Sequence, residues 1–184
     1  MNKYLFKIVL IGDGAVGKTS IRKRYMGEGF RSDFLATMGA DFAYLKTEID
    51  EDFIEWQIWD LAGQPAFRNV MKAYFKGSMG CLAVYDVTQP RSLDSLESWI
   101  EEARLHSQAS NEIPAVIVGN KTDLRDEVPN SVKTIDGFVK SKSLNADFIE
   151  TSAKTGENIE NAFLKLARAI IQRSELLEKK EEGV

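Results

Sequence analysis

A chain of 184 residues, 43% hydrophobic and 28% charged, is long enough for one domain that buries roughly 70% of its unfolded surface. Its 28 acidic against 24 basic residues give a net charge of −4, with no basic block in the body, which disfavours nucleic acid as a partner. No apolar run approaches the ~18 residues of a membrane span, and the single cysteine, Cys81, permits no internal disulfide, so a reducing, cytoplasmic setting is expected.

The apolar run over residues 5–11 predicts a first strand. Gly12-Asp13-Gly14-Ala15-Val16-Gly17-Lys18-Thr19 follows it and opens a helix-like segment over residues 20–26, beginning with Ser20. Glycine, four residues, then Gly-Lys-Thr between strand and helix is the phosphate-loop pattern. Gly12, Gly14 and Gly17 let the backbone turn close to a polyphosphate, where a Cβ would intrude. The loop N–H groups and the positive end of the helix then face the anion. Lys18 places a cation near the β- and γ-phosphates, and the Thr19 hydroxyl is a Mg²⁺ ligand. Residues 30–41 carry no sustained period and read as a long loop. Two strand-like runs, 42–49 and 53–60, are joined across Asp50-Glu51-Asp52, a connection short enough to demand an antiparallel hairpin. From there strand and helix alternate: a strand over 79–86, a helix over 92–105 with Leu93, Leu96, Ile100 and Ala103 on one face, and a strand over 114–119. A helix over 131–144 with Val132, Ile135 and Val139 at helical spacing, a short strand over 148–151 and a final amphipathic helix complete the chain. The expected fold is an α/β P-loop nucleotide-binding domain: six strands in a mostly parallel sheet, one of them antiparallel, flanked by five helices.

Ligands of such sheets bind beyond the carboxyl ends of the strands, and the polar motifs stand there. Asp60-Leu61-Ala62-Gly63-Gln64 follows the third strand. Asp60 is placed to hold Mg²⁺ through water, Gly63 to bring its N–H to the γ-phosphate, and Gln64 to orient an attacking water. Thr37 offers Mg²⁺ a second hydroxyl. Asn120-Lys121-Thr122-Asp123, with Leu124 next, follows the fifth strand. The Asp123 carboxylate can accept two N–H bonds from guanine, whereas adenine has no matching donor pair. Ser152-Ala153-Lys154 follows the sixth strand and can add a backbone N–H to the guanine oxygen. The phosphate loop alone is equally compatible with a kinase or ATPase, against which the Asn120–Asp123 segment argues.

From its first strand to its last helix the chain resembles a Ras-superfamily small GTPase, on the strength of residues 12–19, Thr37, 60–64, 120–123 and 152–154 in that order. The resemblance implies a switch cycling between GTP- and GDP-bound states, with Mg²⁺ as cofactor. It implies a base-flanking aromatic at Phe30, a ring contact at Asn120 and lysines lining base and ribose at Lys121 and Lys154. A first switch containing Phe34 and Thr37 and a second over residues 60–76 follow from the same likeness. Within the superfamily the 37–42 and 59–64 segments are most similar to the Rab branch, and Phe42, Trp59 and Tyr74 match its effector-facing aromatic triad. An activating protein, an exchange factor and effectors are then implied, with the chain itself a monomer. Leu61, Pro65 and Ala15 depart from common family residues, which leaves a GTP-occupancy sensor with negligible hydrolysis as the alternative to a slow GTPase. Arg31 lies near the position of an internal arginine finger but reads as a solvated residue. Trp99 reads as packing and His106 as a surface residue. The domain is expected over 1–174 with a charged extension over 175–184. That extension contains no cysteine for prenylation: the sequence reads as shortened, or as a protein that does not hold membranes through a lipid.

Overall fold

The computed structural model describes residues 2–29, 36–107 and 113–181. Its elements are β1 (Lys3–Ile11), α1 (Lys18–Tyr25), β2 (Ala40–Ile49), β3 (Asp52–Leu61), α2 (Arg68–Phe75), β4 (Gly80–Asp86), α3 (Pro90–Asp94), α4 (Leu96–His106), β5 (Ala115–Asn120), α5 (Thr134–Ser143), β6 (Asp147–Glu150) and α6 (Ile159–Glu181). The helix expected over 92–105 is interrupted at Ser95 into α3 and α4; taken as one run, the helices number five among the described residues.

All six strands form one sheet in the order β2-β3-β1-β4-β5-β6. Only the β2–β3 pair is antiparallel, its register running from Ala40↔Leu61 to Ile49↔Asp52. That leaves a two-residue turn, Asp50-Glu51, with both residues at positive φ (50° and 71°). Such a primed turn matches the right-handed twist of the strands it joins. Arg168 of α6 donates to both carboxylate oxygens of Asp50, at 2.7 and 3.0 Å, and so ties the hairpin tip to the last helix.

Strand alternation divides the core in two. Phe6, Ile8 and Leu10 of β1 face Ile21 of α1 and Phe163, Leu166 and Ile170 of α6. Val9 and Ile11 face the other way, toward Met71 and Phe75 of α2 and Leu96, Trp99, Ile100 and Ala103 of α4. The central strands β4 and β5 are buried along their whole length, as parallel strands covered on both faces must be. Cys81 lies inside β4, where burial pushes its thiol up to about 12.

The apolar stripe expected on α5 is corrected. Ile135 and Val139 are 58% and 59% exposed, while Gly137 and Ser141 form the buried face. The reason is steric: a Cβ on Gly137 would lie 2.4 Å from Tyr85 Oη and 2.6 Å from the Phe148 ring. The helix therefore seats its narrowest face on the sheet.

Candidate functional site

The carboxyl ends of β1, β3, β5 and β6 open on one rim, and the motif residues gather there. Gly12 leaves β1 at φ 131°, with its ideal Cβ position only 2.1 Å from the Val84 carbonyl oxygen, so no other residue fits this turn. Gly17 caps α1 in the left-handed region. Next to it Lys18, almost wholly buried, folds its Nζ back to donate to the carbonyls of Gly12 and Asp13, both at 2.7 Å. Burial lowers its pKa to about 8, against the pull of Asp60 and Asp13.

The segment after β3 lies directly on this loop. A Cβ on Gly63 would sit 2.2 Å from the Asp13 carbonyl carbon and 2.3 Å from Gly14 N, so glycine is what allows the contact. Gln64 is exposed, and its Cγ lies 3.9 Å from the ideal Cβ position of Gly14. Leu61, a departure from the common family residue, is buried in the core beside Val9 and Ile11. Pro65 opens a one-turn 3-10 helix, Pro65–Phe67, ahead of α2. There its fixed φ is suited and its missing N–H costs no bond.

Thr19, Thr37 and Asp60 converge. Thr19 Oγ1 donates to Asp60 Oδ2 at 2.5 Å and lies 2.9 Å from Thr37 Oγ1. Asp60 is fully buried, and its other oxygen, Oδ1, has no hydrogen-bond partner among the described residues. Burial raises the Asp60 pKa, opposed by the Thr19 hydroxyl and by Lys18 and Arg22. Two hydroxyls and one buried carboxylate with an unsatisfied oxygen form an all-oxygen set, the donor chemistry that Mg²⁺ takes. The residues fit the ion.

Across the rim, Asn120 Nδ2 donates to the Val16 carbonyl at 3.0 Å, while its Oδ1 accepts from Ala153 N and Thr151 Oγ1 at 3.1 and 3.2 Å. Asn120 is thus a clamp between the phosphate loop and the segment after β6. Lys121, at φ 68°, reaches back to the Ala15 carbonyl at 2.8 Å and pairs with Asp86 at 2.6 Å. Ala15 itself stands at φ 65°. Ser152 Oγ donates to Asp123 Oδ1 at 2.6 Å, and Lys154 Nζ lies 3.8 Å from Asp123 Oδ2, which orients that carboxylate at the rim. Leu124 closes the short 3-10 turn that carries Asp123. Ala153 N–H is committed to Asn120 and Ser152 N–H to the Glu157 carbonyl, so the remaining N–H of that segment is that of Lys154.

Phe42, Trp59 and Tyr74 stand side by side, with ring centroids 5.0 Å apart for the first pair and 5.1 Å for the second. Phe42 is 47% exposed. Phe30, Arg31 and Phe34 lie outside the described residues. Two contacts escaped the sequence reading. Trp99 Nε1 donates to Asp13 Oδ1 at 2.9 Å, and Arg22 of α1 pairs with Asp41 at 2.6 Å. A tryptophan at helical spacing signals packing, and nothing in its spacing reveals the polar end.

A phosphate loop, a hydroxyl–carboxylate cluster and a second carboxylate held across the same rim define a P-loop nucleotide-binding protein. The Ras family model matches residues 7–172. Ras-related protein Rab-8A of Rattus norvegicus is 42% identical over 180 residues, 98% of this chain and 84% of that protein. Ras-related protein RABE1d of Arabidopsis thaliana is 41% identical over 170 residues, 92% of this chain and 77% of that protein. The chain belongs to the Ras family. It is accordingly a GTP-binding molecular switch and a GTPase, converting GTP to GDP, and acts with regulators and effectors.

Proposed function

We propose that GTP lies across the rim with its phosphates over residues 12–20, its Mg²⁺ held by the Thr19 and Thr37 hydroxyls and by Asp60 through water, and its base against Asn120, Lys121, Asp123, Leu124 and residues 152–154. The observation that carries this is the meeting of Thr19, Thr37 and Asp60 with one buried carboxylate oxygen unpaired. Bound there, Mg²⁺ supplies charge neutralisation for the transferring phosphoryl group. Lys18 exchanges its loop carbonyls for phosphate oxygens. Gln64, beside Gly14, orients the attacking water, and Gly63 N–H supports the γ-phosphate. Loss of that phosphate releases Thr37 and Gly63 together, an order-to-disorder switch. The Asp123 carboxylate, oriented by Ser152, selects guanine, and Lys154 N–H is the backbone donor for its oxygen.

The Phe42–Trp59–Tyr74 surface is the effector-reading face of a Rab-like protein working in membrane traffic. The domain covers residues 1–174, with residues 175–184 as a charged extension of the last helix. No described helix is long and apolar enough to cross a membrane. Denaturing the purified protein and identifying the nucleotide released tests the base assignment, and adenosine nucleotides there would end it. Single-turnover hydrolysis by Gln64→Leu tests the water-orienting role, which a wild-type rate would exclude.

A further inference from the structure

Arg22, which belongs to no sequence motif, brings a positive charge beside the hydroxyl–carboxylate cluster. Its side chain is only 6% exposed. One end nitrogen, Nη2, donates to Asp41 Oδ2 at 2.6 Å, just past the first-switch segment at the start of β2. The other, Nη1, lies 3.6 Å from Met26 Sδ. Its Nε is 3.8 Å from Asp60 Oδ2, within ion-pair range but too far for a hydrogen bond, and has no hydrogen-bond partner among the described residues. The guanidinium therefore sits between two carboxylates, bonded to the half-exposed one and held just short of the buried one.

We infer that Arg22 is a resident counter-charge to Asp60 that weakens the site's hold on Mg²⁺, and that Asp41 limits this effect by drawing the guanidinium away. The inference rests on the Mg²⁺ reading given above. A fixed positive charge about 4 Å from a buried carboxylate lowers the negative potential that a cation entering beside it would meet. The same charge keeps Asp60 compensated when the cation leaves, so the site can open without stranding an unpaired buried carboxylate. Asp41 stands four residues beyond Thr37, so movement of the first switch alters how much of the guanidinium Asp60 receives. Metal affinity and first-switch position are then coupled through one side chain.

The two partners must act with opposite sign. The complex with N-methylanthraniloyl-GDP is titrated in Mg²⁺–EDTA buffers, and the free Mg²⁺ that half-protects against nucleotide release is read by fluorescence. Arg22→Leu removes the competing charge and should lower that concentration roughly tenfold. Asp41→Ala frees the guanidinium to close on Asp60 and should raise it several-fold. Arg22→Lys keeps the charge and should stay within about twofold of wild type. Both shifts in these directions support the inference. Unchanged affinity, or shifts of the same sign, overturns it, since loosened packing alone would move both variants alike. Should Arg22→Leu fail to fold, Arg22→Gln, which removes the charge and keeps a polar side chain, takes its place with the same expected direction, and both signs are still required. If wild-type release shows no dependence on Mg²⁺, the Mg²⁺ site itself is what fails.

Discussion

Trp99 donates its indole N–H to Asp13 Oδ1 across 2.9 Å, which joins the buried face of α4 to the phosphate loop. Asp13 is also where Gly63 rests and where Lys18 finds one of its carbonyls. One residue thus carries contacts from α4, from the segment after β3 and from the loop's own lysine. Trp99→Phe keeps most of the packing and removes the donor to a carboxylate. It should cost about 1.5–3 kcal/mol in urea unfolding and speed nucleotide release. An unchanged unfolding midpoint would show that the bond contributes nothing net.

Base choice is assigned to Asp123. Asp123→Asn replaces one acceptor with a donor and leaves part of the guanine edge unmatched, a loss of about 3 kcal/mol, or roughly a hundredfold in affinity. Xanthine nucleotides should gain by the same substitution. Competition among GTP, XTP and ATP for the purified variant checks both, and retention of full GTP preference would remove Asp123 from the base site.

The hairpin turn holds Glu51 at φ 71°, where a side chain is strained. Glu51→Gly should relieve about 1 kcal/mol and raise the melting temperature by about 2–4 °C. A lower melting temperature would mean that the glutamate side chain contributes more than its backbone costs.

Cys81 titrates near 9.0 when unfolded but is pushed to about 12 by burial in β4. The folded state therefore keeps a proton that the unfolded chain has lost, so the contribution is intact below pH 9 and shrinks above it. Each pH unit between 9 and 12 should cost about 1.4 kcal/mol of stability. Comparing urea midpoints of wild type and Cys81→Ala from pH 8 to pH 10 isolates the effect, because the other titrating groups are common to both. Parallel curves would contradict it. The thiol should also resist alkylation until the protein unfolds.

Strand positions were legible because period-two and fully apolar runs survive in any environment, and each polar motif stood where a strand ended. The β2–β3 hairpin followed from the shortness of its acidic turn. What was not legible depends on what a helix packs against. Ile135 and Val139 have helical spacing, yet the close approach of Tyr85 and Phe148 turns α5 onto Gly137 and Ser141. The break at Ser95 has no proline or glycine to announce it. At the site, residues on one contiguous motif could be read, whereas Arg22–Asp41 and Trp99–Asp13 pair side chains 19 and 86 positions apart. Such pairings leave no periodic trace.

The β2–β3 ladder is held along its inner side, where β3 pairs with β1 from Phe53 to Asp60, and β2 forms the edge of the sheet. Its turn is held by both oxygens of Asp50 to Arg168, and the opposite end, about 30 Å along the strands, begins beside Thr37. Of the two strands β2 is the one open to displacement, since as the edge strand it is laddered to β3 alone. Phe42 on that edge strand faces Trp59 in the register, and Trp59 in turn is paired with Val9 of β1. A shift of Thr37, five residues ahead of Phe42, therefore moves one ring of the pair against a partner that the sheet holds in place.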